Sequence, residues 1–163
     1  MPRDGTATRS AILTAALTLL REQGLPGFSI EGVAARADVA KGLVLYHYGS
    51  RAKLLERCAE AVNRERGDRL TGAPKGKTGV GGVDALWEEL IRQHEDGTAR
   101  AWLSLAAGGS FASGDPTDDV VAQATRALLD GCAAGLAAGG ERAALREAYE
   151  ALSLALLRLE EGA

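Results

Sequence analysis

Aromatic, histidine and cysteine side chains are scarce in this chain. Aromatics are 4% of its 163 residues, and there are two histidines and two cysteines. His47, His94, Cys58 and Cys132 are scattered, without the spacing a metal site needs. No G-x-S-x-G stretch is present, and no Ser/His/Asp grouping stands out. No catalytic residue, metal or cofactor is therefore expected, and an enzyme ranks last among the function classes. Strand formers are also sparse, which favours helix. No apolar run is long enough to span a bilayer, and no charged-then-apolar leader opens the sequence. The expectation is a cytoplasmic protein with no membrane partner. Cys58 and Cys132 sit among apolar helical residues and are expected as reduced, buried small hydrophobes. A disulfide between them stays open, because it needs a geometry that sequence does not show.

What is present is mostly Ala, Leu, Gly and Arg. Hydrophobic residues are 46% and charged residues 25%, ordinary for a globular protein. The length suits one large domain or two small ones. Net charge is −3 but uneven: residues 1–66 carry ten Lys/Arg against seven Asp/Glu, and 67–163 carry nine against fifteen. A basic head on an acidic body hints at a polyanion partner at one end only.

Periodicity predicts helices throughout. Ile12, Leu13, Ala16, Leu17, Leu19 and Leu20 recur at helical spacing between Thr8 and Glu22, and Gly24 suits the turn that ends a helix. Ser29 caps a second helix, about 30 to 37, and a third, about 40 to 46, carries Leu43, Val44 and Leu45. Gly49 ends it, and Ser50 caps a fourth with Leu54, Leu55, Cys58, Ala61 and Val62. Residues 71–82, TGAPKGKTGVGG, read as a loop or linker. They miss the P-loop pattern, since Thr71 stands where glycine is needed and the polar end of a helix precedes them. Further helices are expected at about 83–95, 98–108, from beyond Pro116 to 138, and 141–160.

Two short helices joined by a tight turn, the second ending in aromatics, outline a helix-turn-helix. Ser29 can present a hydroxyl and backbone N–H groups to a phosphate. Lys41 can reach a guanine edge or a phosphate, and Gly42 permits close backbone approach. Tyr46 and His47 can donate to phosphate oxygens, and Arg51 adds charge at a helix start. A helical subdomain in which Tyr46 and Tyr48 merely pack is the plainer alternative.

The stretches ILTAALTLLREQG and FSIEGVAARADVAKGLVLYHYGSRAKLL, within about residues 8–62, resemble the DNA-binding region of TetR-family transcriptional regulators. The linked residues are Phe28-Ser29, Val33-Ala34, Val39-Ala40-Lys41-Gly42, Tyr46-His47-Tyr48, and Ser50-Arg51 with Leu54-Leu55. The resemblance implies a third helix in the major groove and a backbone grip by the aromatic/His corner with Arg51. DNA contacts are then expected at Ser29, Ala40, Lys41, Gly42, Leu43, Tyr46, His47 and Arg51. Leu45 replaces a usual Tyr, Leu43 a small polar residue, Gly49 a Pro or Lys, and Tyr48 a Phe. An apolar side chain at 43 can touch a thymine methyl but cannot hydrogen-bond a base.

The fold expectation is all-α, with a helix-turn-helix domain at 1–66, a Gly-rich linker at 67–82 and a helical effector and dimerisation domain at 83–163. The resemblance implies a small-molecule effector held between helices of that domain, with Trp87, His94, Trp102 and Phe111 as candidates for its site. The resemblance also implies a homodimer, a ligand-responsive repressor reading a palindromic operator on double-stranded DNA, with Leu128, Cys132, Leu136, Tyr149, Leu152, Leu156 and Leu159 as candidates for its seam. The alternative is a helical ligand-binding or interaction module whose head has lost DNA binding.

Overall fold

The computed structural model describes residues 5–110 and 120–161, with α8 side chains described up to Arg158. Eight helices make up the fold among the described residues: α1 (Gly5–Gln23), α2 (Ile30–Ala37), α3 (Lys41–Tyr48), α4 (Arg51–Gly72), α5 (Val80–Glu95), α6 (Thr98–Ala107), α7 (Val120–Ala137) and α8 (Arg142–Glu161). None of them is long and apolar enough to cross a membrane.

Contacts divide the chain into two units. The first holds the chain up to Glu65 and the segment that begins at Arg100. Ile12, Ala16 and Leu20 of α1 meet Val33, Val44, Leu54, Cys58 and Val62 in its core. Each fully buried aliphatic side chain here contributes about 1.5–3 kcal/mol. The helix ends follow local chemistry. Gly24 adopts φ 66° and donates to the Leu20 carbonyl at 2.8 Å, closing α1. Ser29 Oγ accepts from Gly32 N at 3.0 Å, starting α2. Asp38 ends α2 at φ 54°, and Gly49 ends α3 at φ 77°. Ser50 Oγ accepts from Lys53 N at 3.2 Å and starts α4.

The sequence reading put α6 with the C-terminal domain; its residues from Arg100 onward instead join the first unit. Ala101 and Leu105 are fully buried in that core. Arg100 also donates to the Arg21 and Glu22 carbonyls at 3.0 and 2.9 Å, satisfying the open end of α1.

The second unit joins Arg66–Ala99 to α7 and α8. Val83, Trp87, Leu90, Leu129, Cys132, Leu136 and Tyr149 form its core. Leu145 packs over Gly135, where a Cβ would lie 2.9 Å from Leu145 Cδ2. Glu89, only 5% exposed, anchors a polar cluster. It accepts from Arg69 at 2.5 Å, Arg92 at 2.9 Å and Gln93 at 3.0 Å. Arg69 also donates to Asp96 at 2.7 Å. Burial raises the Glu89 pKa, but the hydrogen bonds from Gln93, Arg92 and Arg69 outweigh it and leave the carboxyl below its ordinary value.

The expected linker at 67–82 is mostly helix: α4 continues to Gly72 and α5 begins at Val80. Only residues 73–79 lie between them. Glycines at a helix end need not break it when the flanking residues are packed, and Leu70 and Val83 are. Both cysteines are free and buried, Cys58 in the first core and Cys132 in the second.

Candidate nucleic-acid interface

Helical geometry sorts the α3 residues onto two faces. Val44 and Tyr48 point inward, and the Tyr48 hydroxyl donates to the Arg9 carbonyl at 2.8 Å. Lys41, Gly42, Leu43, Leu45 and Tyr46 are exposed, Tyr46 at 81%. His47 is half-buried and stands edge-on to Tyr46, with ring centroids 5.3 Å apart. Nothing within the fold requires glycine at 42. Its φ is ordinary, and a Cβ there would meet nothing within 4 Å. The missing side chain keeps the outside of α3 low, which suits close approach by a partner.

The helices before and after α3 in the chain begin at capped N-termini, at Ser29 and Ser50. Both offer partial positive charge to an anion. Arg51 stands over the Phe28 ring at 5.5 Å, and Arg9 over the Tyr48 ring at 5.4 Å. Arg9, Arg51 and Lys53 form no ion pair with any described carboxylate. Lys41 differs: its ammonium donates to Glu31 in the first turn of α2. That carboxyl sits below its ordinary pKa, chiefly through the Lys41 hydrogen bond.

This arrangement has known counterparts. Residues 12–58 match the model for bacterial regulatory proteins of the tetR family. The HTH-type transcriptional regulator BetI of Burkholderia cenocepacia is 34% identical over 67 residues, 40% of this chain and 34% of BetI. BetI of Burkholderia lata matches over the same shares. Over this stretch the head is similar to the DNA-binding part of tetR-family regulators. The chain thus spans about a third of the length of the curated relatives it matches. The TetR-type fold extends further. The multidrug binding protein EbrR complexed with imidazole superposes with a TM-score of 0.53 at 22% identity, over 93% of each chain. A gamma-butyrolactone receptor gives 0.56 at 17%, over 94% of this chain and 98% of that one. At such identities the likeness concerns fold.

Of the other expected site residues, Trp87, His94 and Trp102 are described. Trp87 is buried in the second core, against Tyr149 at 5.3 Å between ring centroids. Trp102 packs against the first core. His94 is half-buried on α5, and Phe111 lies outside the described residues. The structure instead opens a cavity of about 500 Å³ within the second unit, lined by Val83, Leu86, Tyr149, Ser153, Leu156 and Leu157 among others. Trp87 does not line it. The sequence signal for the cavity was the α8 repeat itself, Tyr149, Ser153 and Leu156–Leu157, which reads equally well as core.

Five of the seven expected seam residues pack or line a cavity inside the chain. Cys132, Leu136 and Tyr149 are buried, with the Tyr149 hydroxyl donating to the Val83 carbonyl at 2.9 Å. Leu128 packs beside them and Leu156 lines the cavity. Leu152 faces out at 54% exposure, and the Leu159 side chain lies outside the described residues. Beside exposed charged residues, and beside Leu152 and Leu154 on α8, α7 and α8 each carry one outward stripe of small residues that sequence reasoning passed over. These are Ala127, Gly131, Ala134 and Ala138 on or just after α7, and Ala144, Ala148, Ala151 and Ala155 on α8.

Proposed function

We propose that this protein is a sequence-specific DNA-binding transcriptional regulator that acts as a ligand-responsive repressor. The observation that supports this reading best is the outer face of α3, which no other helix covers at Leu43, Leu45 and Tyr46, with the capped start of α2 before it in the chain and the capped start of α4, carrying Arg51 and Lys53, directly after it. Ser29, Ala40, Gly42, Leu43, Tyr46, His47 and Arg51 provide the DNA surface, with Lys41 entering as half of an ion pair. Two copies join through the small-residue faces of α7 and α8, and the twofold dimer reads a palindromic operator on double-stranded DNA. The second-unit cavity holds a small, mainly apolar effector. Its volume falls in the usual ligand range. An effector that binds two states of the dimer unequally shifts the population between them and so changes DNA affinity.

An Arg51→Ala variant tests the head. It should weaken binding to every duplex by a similar factor and reduce the salt slope by about one. Unchanged binding would remove Arg51 from the surface. One observation favours a second reading, a helical ligand-binding or interaction module with a degenerate head: Leu43 and Leu45 are both 37% exposed where a base-reading surface is usually polar. Binding of no duplex at low salt would select it.

A further inference from the structure

The exposed face of α3 contains one side chain that can hydrogen-bond a base edge directly from the helix start, and that is Lys41. The structure ties it to Glu31, ten residues earlier in the chain. Glu31 sits in the first turn of α2, where its carboxylate is stabilised by the helix N-terminus as well as by Lys41. Both partners are exposed, at 55% and 65%, and Lys41 stands at the start of the exposed face of α3. Against a polyanion the pair is neutral. If Lys41 left Glu31 for a phosphate, an uncompensated carboxylate would face the same backbone. The pair therefore contributes little counterion release, whichever way Lys41 points.

What remains on the face is Gly42, Leu43, Leu45 and Tyr46. Leu43, two residues into α3, is at the end of the helix that enters a groove in this motif. An aliphatic side chain has one specific partner on a base edge in the major groove, the 5-methyl group of thymine. The surrounding cations and helix N-termini match a phosphate backbone, so the occupant that fits both the charge and the apolar centre is duplex DNA carrying thymine methyls. The open space beside Gly42 lets α3 approach closely enough for such contacts.

We infer that Glu31 withdraws Lys41 from base reading and that the half-site is recognised through thymine methyl groups contacted by Leu43. This rests on the DNA-binding reading above and deepens it. The half-site is then defined by where methyls lie, and a guanine opposite Lys41 is not required. Glu31 acts as a positioning residue that keeps indiscriminate affinity low.

The test starts from duplexes selected by the full-length protein from a random-sequence pool. Each thymine is then replaced singly by deoxyuridine, which removes only the methyl. One or two positions per half-site should lose about 4-fold in affinity, the loss expected for exposing one methyl-sized group. Leu43→Ala should bind the thymine and deoxyuridine duplexes alike. Placing cytosine at a sensitive position should weaken binding, and 5-methylcytosine there should recover part of the loss. Glu31→Gln should raise affinity for selected and unselected duplexes together and steepen the salt slope by about one. Selective duplex binding that is indifferent to deoxyuridine at every position would overturn the inference and leave the regulator reading standing. A Glu31→Gln variant with wild-type affinity and salt slope would also overturn it. If no duplex is bound at low salt, the regulator reading itself fails, and the inference with it.

Discussion

Replacing Glu89 by Gln keeps the shape of the side chain and removes its charge. In the native protein the carboxylate is 7% exposed and accepts from Arg69, Arg92 and Gln93. Breaking a fully buried ion pair from one side costs about 3–5 kcal/mol. Here the cost is smaller, because Arg69 is 26% exposed and keeps Asp96 at 2.7 Å. Glutamine can also accept one of the three bonds. The expected destabilisation is about 2 kcal/mol, or roughly 4–8 °C in melting temperature for a chain of this size. The melt is best followed by Trp87 fluorescence in a Trp102→Phe background, since Trp87 lies on the same helix as Glu89. The pH dependence gives a second readout. The Glu89 pKa is lower in the folded protein than its ordinary value of 4.5. Its stabilisation is therefore fully present above that value and is lost as pH falls through the folded pKa. The wild type should lose stability below about pH 4.5 more steeply than the variant. A variant within 0.5 kcal/mol of wild type at pH 7, with the same acid slope, would refute the reasoning; that threshold is about the scatter of ordinary surface substitutions.

Other substitutions read other parts of the structure. Ser29→Ala removes the acceptor of the Gly32 N–H and should cost about 1 kcal/mol in a urea melt. Gly140→Ala places a Cβ 2.9 Å from the Gly135 carbonyl oxygen, so the turn between α7 and α8 must shift. The cost should be about 1–3 kcal/mol, against no loss for Gly67→Ala, where no atom lies within 4 Å. Burial pushes the Cys58 thiol up to about 12. It should resist alkylation by iodoacetamide at pH 8 in the native protein and react at once in denaturant; rapid native labelling would contradict its burial.

The helical class was legible because nearly every segment repeats its apolar residues at helical spacing and carries its own stop. Ser29, Gly24 and Gly49 did in the structure what their chemistry dictates. What periodicity conceals is the partner of each apolar face. Ala101 and Leu105 read as generic core, and only the Arg100 bonds to the end of α1 reveal which core receives them. On α8, Tyr149, Leu152 and Leu156 share a repeat, yet Tyr149 is buried and Leu152 exposed, because a stripe of three residues is wider than one contact line. The exposed face of α3 follows from spacing alone, since Val44 and Tyr48 fix the inward direction. The Glu31–Lys41 pair does not follow, because it spans two helices and a turn whose angle is a tertiary property.

The most direct test of the account is a titration of the protein against its own upstream intergenic DNA at several salt concentrations. The account predicts binding that favours that DNA over an unrelated duplex and weakens steeply as salt rises. Absence of binding at low salt, or binding indifferent to sequence, would contradict it.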